Sequence, residues 1–383
     1  MGFDRSFFVA KLNRYCDQLE VSLDELSERT GIPFSRLNDL NEQKADPTGD
    51  EVLIIADFFK CDYNFFISNE RLTAFEQTEK LFRKYGSELT KEDRWSIQEF
   101  IFLSECEHFL FAALNKPKKE PFSFRPHGNY YKGHGQEAAR SLRAYLDYPE
   151  TADPSTLNIF EDFARMGIHV FRRKVEGTIS GLCIRHPMAG PCILINYSED
   201  LFRQRFSAAH EVAHVLFDLD TEDFIVSFSQ WNKGDLIEPR ANAFAASFLI
   251  PPGLIKSIPV QKWDDNSILE WSRRLMVNVE PFVIMLREHG LITEAEYEQF
   301  KVLKIPRTVK GDPEIPETLS PRSQERIAGL LQRGLSRFYV DLCFEAYHEG
   351  IISAGRLAEM LLVHETEVSE IAALYGRVLE HNA

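Results

Sequence analysis

Two histidines and a glutamate lie close together in the stretch FRQRFSAAHEVAHVLFDL and could bind a metal and activate water. His210 and His214 are four positions apart, so in a helix their imidazoles project from one face. This HExxH pattern is typical of zinc sites, because two neutral imidazoles bind one ion and leave a position open for water. Glu211 follows the first histidine and points away from that face, so we expect it to act as the general base.

A catalytic zinc site needs a third protein ligand, and Glu238 in IEPRANAFAASFLIPP is the best candidate. Pro239 suits the first turn of a second helix and Pro251 ends it, which places Glu238 at or beside the helix start. The sequence therefore predicts a zinc ion bound by His210, His214 and Glu238. Three acids after the first helix are weaker ligand candidates, interpreted as solvated loop residues: Asp218, Asp220 and Asp223.

Peptide hydrolysis also needs a group that stabilises the negative charge on the attacked carbonyl oxygen. The sequence leaves four candidates open for this role: Tyr130, Tyr131, Tyr197 and His186. Residues 192–197 are predicted to form a strand. At the edge of a sheet this strand would bind an extended substrate by strand addition, and otherwise it would be an ordinary core strand.

The elements around these residues predict a multidomain protein, since 383 residues exceed one ordinary core. Residues 127–303 combine helices with the strand-like runs IHVFRR, TISGLCIRH and PCILINY, and predict an α+β zincin-like metallopeptidase domain with a small sheet. Residues 71–126 are predicted to be a helical connector, whose second helix begins after the cap Thr90, and a linker. Residues 304–383 are predicted to be a proline-rich linker and an all-α C-terminal segment.

Residues 1–70 predict an all-α helix-turn-helix domain, which a linker near 115–126 would separate from the peptidase fold. Ser22 suits the N-cap of LDELSERT, Gly31 ends that helix, and Pro33 opens the next one. The second helix would lie in the major groove of DNA, with four candidate contacts: Ser35, Arg36, Asn38 and Asp39. Acids outnumber bases two to one here, so a helical docking or dimerisation domain that does not bind DNA is the alternative.

The overall composition excludes several classes of protein. A formal net charge of −15 argues against a non-specific polyanion binder. No long apolar run and no signal-peptide pattern occur, so we expect a cytoplasmic protein without a membrane span. The six scattered cysteines are interpreted as reduced and mostly buried thiols, with a disulfide between Cys183 and Cys192 left open.

Two stretches resemble known families. Residues 130–290, with ISGLCIRH, CILIN, RQRFSAAHEVAHVLF and EPRANAFAASFLIP in this order, resemble the ImmA/IrrE family of metallopeptidases. That resemblance implies zinc ligation by His210, His214 and Glu238, the first residue of an ExxAN motif. The N-terminal region, with SLDELSERTGIPFSRLNDL, resembles the Cro-like (XRE) family of helix-turn-helix domains.

These resemblances imply a zinc endopeptidase that cleaves a specific protein partner in a stress or mobile-element response. The expected partner is a Cro-like repressor or an antitoxin-like regulator, and residues 1–70 could add DNA binding or homodimerisation. The alternative is a DNA-binding transcriptional regulator whose peptidase-like domain serves as a sensor or partner-binding module. One half of a toxin and antitoxin pair is a third hypothesis.

Overall fold

The computed structural model describes most of the chain and places its helices around one small sheet. The described residues are 3–68, 76–116, 122–127, 131–151, 156–219, 222–228, 237–260 and 262–379. Within this part of the chain, no helix combines the length and the apolar composition needed to cross a bilayer. All six cysteines are buried free thiols, so Cys183 and Cys192 form no disulfide.

Five helices form the N-terminal region: α1 Arg5–Leu19, α2 Leu23–Thr30, α3 Phe34–Asn41, α4 Gly49–Phe59 and α5 Tyr63–Ile67. The predicted start and end of α2 are confirmed, because the Ser22 side chain accepts a hydrogen bond from Glu25 N and Gly31 ends the helix with a φ of 73°. Pro33 is the residue before α3 and not part of its first turn. Whether α2 and α3 act as a DNA-binding helix-turn-helix stays a prediction.

Two connector helices follow, α6 Glu76–Tyr85 and α7 Lys91–Ala113, and α7 begins at the predicted cap Thr90. The aromatic face of α7 packs against both the N-terminal helices and the sheet. Trp95 stacks on Phe59 of α4 with ring centroids 6.5 Å apart, and Phe100 contacts Phe171 of the sheet at 6.3 Å. One continuous hydrophobic cluster therefore includes the N-terminal helices, α7 and the sheet. The predicted separation of this region by a linker near 115–126 stays a prediction.

The sheet has four strands in the order β1-β3-β2-β4: β1 His169–Arg173, β2 Ile179–His186, β3 Gly190–Asn196 and β4 Phe224–Phe228. The three predicted strands are confirmed, and β4 lies in a stretch predicted to be loop. β1 pairs parallel with β3, whereas β2 pairs antiparallel with both β3 and β4. The predicted edge position of residues 192–197 is wrong, because β3 is central and the edge strands are β1 and β4.

The described residues in the middle of the chain add the helices α8 Tyr131–Tyr145, α9 Ile159–Arg165, α10 Leu201–Phe217, α11 Ile237–Leu249, α12 Pro252–Ser257, α13 Asp265–Arg274, α14 Val279–Glu288 and α15 Glu294–Phe300. Many of them share a second hydrophobic cluster with one face of the sheet. Side chains alternate along β3, so Ile193 and Ile195 enter this cluster while Cys192 and Leu194 enter the cluster that contains α7.

The C-terminal part consists of a 3-10 helix Arg307–Val309 and the helices α16 Pro321–Gln332, α17 Arg337–His348, α18 Ala354–Met360 and α19 Glu365–Leu374. The predicted linker before α16 is bound to the peptidase-like region: Arg172 of β1 donates to Asp312 at 2.6 Å and to Glu314 at 2.7 Å. Beyond it, Arg333 forms a bridge to Arg173 that covers the outer edge of β1. The boundaries of the four predicted regions stay a prediction.

Candidate metal centre

The site is built on two packed helices, α10 and α11, that lie against one face of the sheet. The side chain of Asp200 caps α10 by accepting from Arg203 N, and the small buried residues Ala209 and Ala213 let the helix pack closely. On α11, Ala241 and Ala245 are almost fully buried. Glu238 lies in the first turn of α11, as predicted from the position of Pro239.

The three predicted ligands converge. His210 Nε2 lies 3.2 Å from Glu238 Oε2, His214 Nε2 lies 3.4 Å from Glu238 Oε1, and the two Nε2 atoms are 3.1 Å apart. Ligand atoms of a tetrahedral zinc ion at about 2.0–2.1 Å from the metal are roughly 3.3–3.4 Å apart. The two imidazoles and the carboxylate therefore have the separations that a tetrahedral ion requires. Metal ligation itself stays a prediction.

The remaining ring nitrogens of the histidines are held by acceptors on the same two helices. His210 Nδ1 is 3.1 Å from Asn242 Oδ1, and His214 Nδ1 is 2.9 Å from Asp218 Oδ2. Each Nδ1–H then donates, which leaves the Nε2 lone pair directed towards the cluster. Asp218 also accepts from Arg240 and is buried, so its interpretation as a solvated loop acid is wrong.

The charges around the cluster shift two pKa values. Burial lowers the pKa of His214, but the hydrogen bonds with Asp218 and Glu238 outweigh burial and raise it to about 10. Burial raises the pKa of Glu238, yet its bonds with both histidines bring it well below the usual range of a glutamate. Glu238 is thus held ionised, and His214 keeps a proton that a metal ion must displace.

Glu211 is almost completely buried between α10 and the sheet. Its carboxylate lies over Gly181 of β2 so closely that a Cβ atom there would be 2.5 Å from Glu211 Oε1. Burial raises the pKa of Glu211, and the neighbouring charges of His214 and His210 act in the opposite direction. The side chain of Ser227 in β4 also interacts with this carboxylate and lowers its pKa, and the buried carboxylate can accept a proton.

The structure brings one candidate for the stabilising role towards the cluster. The exposed ring of Tyr131 lies 5.7 Å from the guanidinium carbon of Arg240, which in turn binds Asp218. Tyr197 instead contacts Arg172 at 5.5 Å, and burial raises its pKa to about 12. His186 binds Glu105 at 2.9 Å at the other end of β2. Asp223 is exposed and pairs with Lys80, whereas Tyr130 and Asp220 lie outside the described residues.

The four predicted DNA contacts, Ser35, Arg36, Asn38 and Asp39, lie on or beside the outer face of α3. Ser35 is exposed and the others are half-buried. Arg36 binds Glu51 at 2.7 Å and the carbonyl oxygen of Asp46 at 2.7 Å, so its guanidinium is already engaged within the domain. None of these four residues contacts the cluster of His210, His214 and Glu238, and their role in DNA binding stays a prediction.

The structure also places three residues around the site whose contacts there the sequence did not predict: Asp218, Asn242 and Gly181. Asp218 is four residues after His214, the spacing at which two side chains meet on one helix face, and this spacing was the available signal. Asn242 belongs to the recognised motif, but only the structure shows its contact with His210. Gly181 carried no signal, because its importance depends on the approach of Glu211 across two elements.

The helix with HExxH packs against the helix that carries Glu238, on one face of a small mixed sheet. This arrangement characterises a metallopeptidase-like α+β domain. Residues 163–287 match the IrrE N-terminal-like domain of peptidase family M78. The match includes all four strands, α10 and α11, and it supports the resemblance to the ImmA/IrrE family, whose members are typically metal-dependent. No curated protein matches the chain.

Proposed function

We propose that the protein is a zinc-dependent endopeptidase that cleaves a specific protein partner. The observation that carries this proposal is the His210, His214 and Glu238 cluster, with ligand atoms 3.1 to 3.4 Å apart, next to the buried carboxylate of Glu211. A structural zinc site is closed by four protein ligands, whereas three protein ligands leave a position for water. The family match to a peptidase supports the same assignment.

The chemistry follows from the positions of these side chains. When bound to the two imidazoles and the carboxylate, zinc would polarise the substrate carbonyl and lower the pKa of a water molecule towards neutrality. Glu211 accepts the proton of that water on its carboxylate as the oxygen attacks the peptide carbonyl carbon. Glu211 then donates the proton to the leaving amine nitrogen. Asn242 and Asp218 keep the histidine rings in place during the reaction.

The outer edge of β4 supports a protein substrate. The outer edge of β1 is bridged at its last residue, Arg173, by Arg333, whereas β4 pairs only with β2 among the described strands. An extended peptide can add to such an edge through main-chain hydrogen bonds. Ser227 of β4 lies opposite Gly181, which contacts Glu211, so this edge runs beside the proposed base. The proposed substrate is a Cro-like repressor or an antitoxin-like regulator of a stress or mobile-element response.

The alternative function, a DNA-binding regulator, is disfavoured by the charges of the N-terminal region. Each of its seven basic side chains already contacts a carboxylate or a carbonyl oxygen: Arg5, Lys11, Arg14, Arg29, Arg36, Lys44 and Lys60. Binding to phosphates depends on available lysines and arginines.

Metal analysis and one conservative substitution test the proposal. The wild type should hold about one zinc ion per chain, and His210→Ala, His214→Ala and Glu238→Ala should each lose it. Glu211→Gln should keep zinc but lose cleavage of a candidate regulator by about 10²- to 10⁴-fold, measured from the masses of the fragments. Glu298→Gln, which removes an exposed carboxylate on α15, is the matched control. Undiminished cleavage by Glu211→Gln would mean that the site is not a peptidase centre of this kind.

A further inference from the structure

An open apolar groove lies on the N-terminal helices, on residues that play no part in the metal-binding cluster. Its volume is about 890 Å³, and its lining includes Phe3, Leu53, Tyr63 and Ile67, which are between 40 and 52 % exposed. Ile54, next to Leu53, is 41 % exposed. Exposed large apolar side chains clustered in this way on a folded surface mark an interaction site.

The fold does not require these apolar side chains. The inner face of α4 is supplied by other residues: Val52, Ile55, Ala56 and Phe59, all of them buried. Leu53 and Ile54 lie on the opposite face of the same helix, together with Asp50 and Asp57 at helical spacing. Helix α4 thus has a buried apolar face and an opposite face on which Leu53 and Ile54 are exposed beside two aspartates.

The size of the groove fits a helix. Two turns of an α-helix, ~11 Å long and ~10 Å across, occupy roughly 850 Å³. An amphipathic helix of this length binds a groove through apolar side chains at i, i+3, i+4 and i+7. The groove volume of about 890 Å³ accommodates such a segment.

The charges beside the groove select a basic occupant. Asp46 in the groove lining pairs with Arg5, whereas Asp50 and Asp62 are exposed and adjoin the lining residues Gly49 and Tyr63. Residues 1–70 hold fourteen acids and seven bases in total. A second copy of the chain would bring like charges together, and the phosphates of nucleic acid would be repelled. Lysines and arginines that flank an apolar helix face would instead be attracted.

We propose that this groove docks a basic amphipathic helix of a partner protein. Leu53, Ile54, Tyr63 and Ile67 bind the apolar face of the helix, and Asp50 and Asp62 attract its basic flanks. Docking here takes place away from His210, His214 and Glu238, so it recruits the partner and leaves the metal-binding cluster unobstructed. The proposal stands independently of the peptidase activity.

The test is binding of a labelled synthetic helix to the full chain, measured by fluorescence anisotropy. The probe has leucines at i, i+3, i+4 and i+7 and lysines on its other face; a second probe has glutamates in place of the lysines. The wild type should bind the lysine probe and not the glutamate probe. The double substitution Leu53→Ser and Ile54→Ser should weaken binding about tenfold or more. Val302→Ser, at a residue 67 % exposed and outside the groove, should leave binding unchanged.

Three results would overturn the proposal: no binding of the lysine probe to the wild type, equal binding of the glutamate probe, or equal binding of the lysine probe by the double variant. Analytical sedimentation tests whether a second copy of the chain occupies the groove. Concentration-dependent dimers that disappear in the double variant would show that a second copy occupies the groove. No cleavage is measured in these experiments, so their failure would leave the proposed peptidase activity standing.

Discussion

The two faces of the four-stranded sheet differ in what their polar groups do. On the face covered by α10 and α11, buried polar side chains form chains that end at the metal-binding cluster, such as Arg240 to Asp218 to His214. On the opposite face, buried hydrogen bonds join α7 to the ends of strands, as between Glu107 and His169 at 2.6 Å. The polar groups on the α10 side orient the predicted metal ligands. Those on the α7 side fix the position of that helix.

This difference shows how one sheet can serve two purposes. Successive residues of β3 alternate between the two hydrophobic clusters, so each strand stabilises both halves of the molecule. The half with α7 joins the N-terminal and C-terminal helices to the sheet, and the other half carries the proposed chemistry. Substitutions on the two faces should therefore have separable effects.

The largest separable effect should come from truncating a buried phenylalanine on each face. Phe100 of α7 and Phe244 of α11 are both fully buried, so Phe100→Ala and Phe244→Ala should each lower the free energy of unfolding by about 3–5 kcal/mol. Only Phe244→Ala should also weaken zinc binding, because it loosens the helix that carries Glu238. Chemical denaturation and a chelator competition assay measure the two effects. Equal loss of zinc affinity in both variants would contradict the separation of the faces.

The close contact between the sheet and the proposed base predicts a smaller effect. Gly181→Ala places a Cβ atom against Glu211, and overpacking of this kind costs about 1–3 kcal/mol of unfolding free energy. Gly329→Ala is the control, because Gly329 lies in α16 with open space around it, and alanine there should stabilise the helix by up to ~1 kcal/mol. Thermal unfolding of the two variants should therefore shift in opposite directions.

Removal of the charge behind one histidine should reduce metal affinity and leave the fold in place. Asp218→Asn keeps the size of the side chain but weakens its interactions with His214 and Arg240. Loss of such a supporting group costs about 10- to 100-fold in metal affinity. Competition with a chromophoric chelator measures it, and Asp223→Asn, at an exposed acid, should have no effect. An unchanged affinity in Asp218→Asn would rule out the supporting role.

The last prediction concerns the dependence of metal binding on pH. Because the pKa of His214 is raised to about 10, a metal ion must displace a proton from it, and affinity should rise about tenfold per pH unit from about 7 to 9. In chelator-treated protein the same proton stabilises the fold: its contribution is complete below pH ~6.5, the unfolded value, and is lost as the pH rises to about 10. Titrations at several pH values measure both trends. A flat affinity profile would show that the proton is absent.

The sequence was informative wherever a function depends on a local pattern. The HExxH spacing, the position of Glu238 before Pro239 and the caps of α2 and α7 all lie within single elements, and the structure has them as predicted. It was uninformative where a role depends on pairing between distant segments. The order of the strands, the strand β4 and the contact of Gly181 with Glu211 follow from tertiary packing, which leaves little trace in local residue spacing.

The bridge between Arg173 and Arg333 has a consequence for biosynthesis. The two residues are separated by 160 positions, so β1 emerges from the ribosome long before its outer edge can be covered. At about 5–20 residues per second, the interval is roughly 10–30 s. The cluster around α7 likewise includes residues from Phe8 to Tyr375. This half of the molecule can thus reach its final packing only after nearly the whole chain has been synthesised, and until then the nascent strand edge is a natural target for a chaperone.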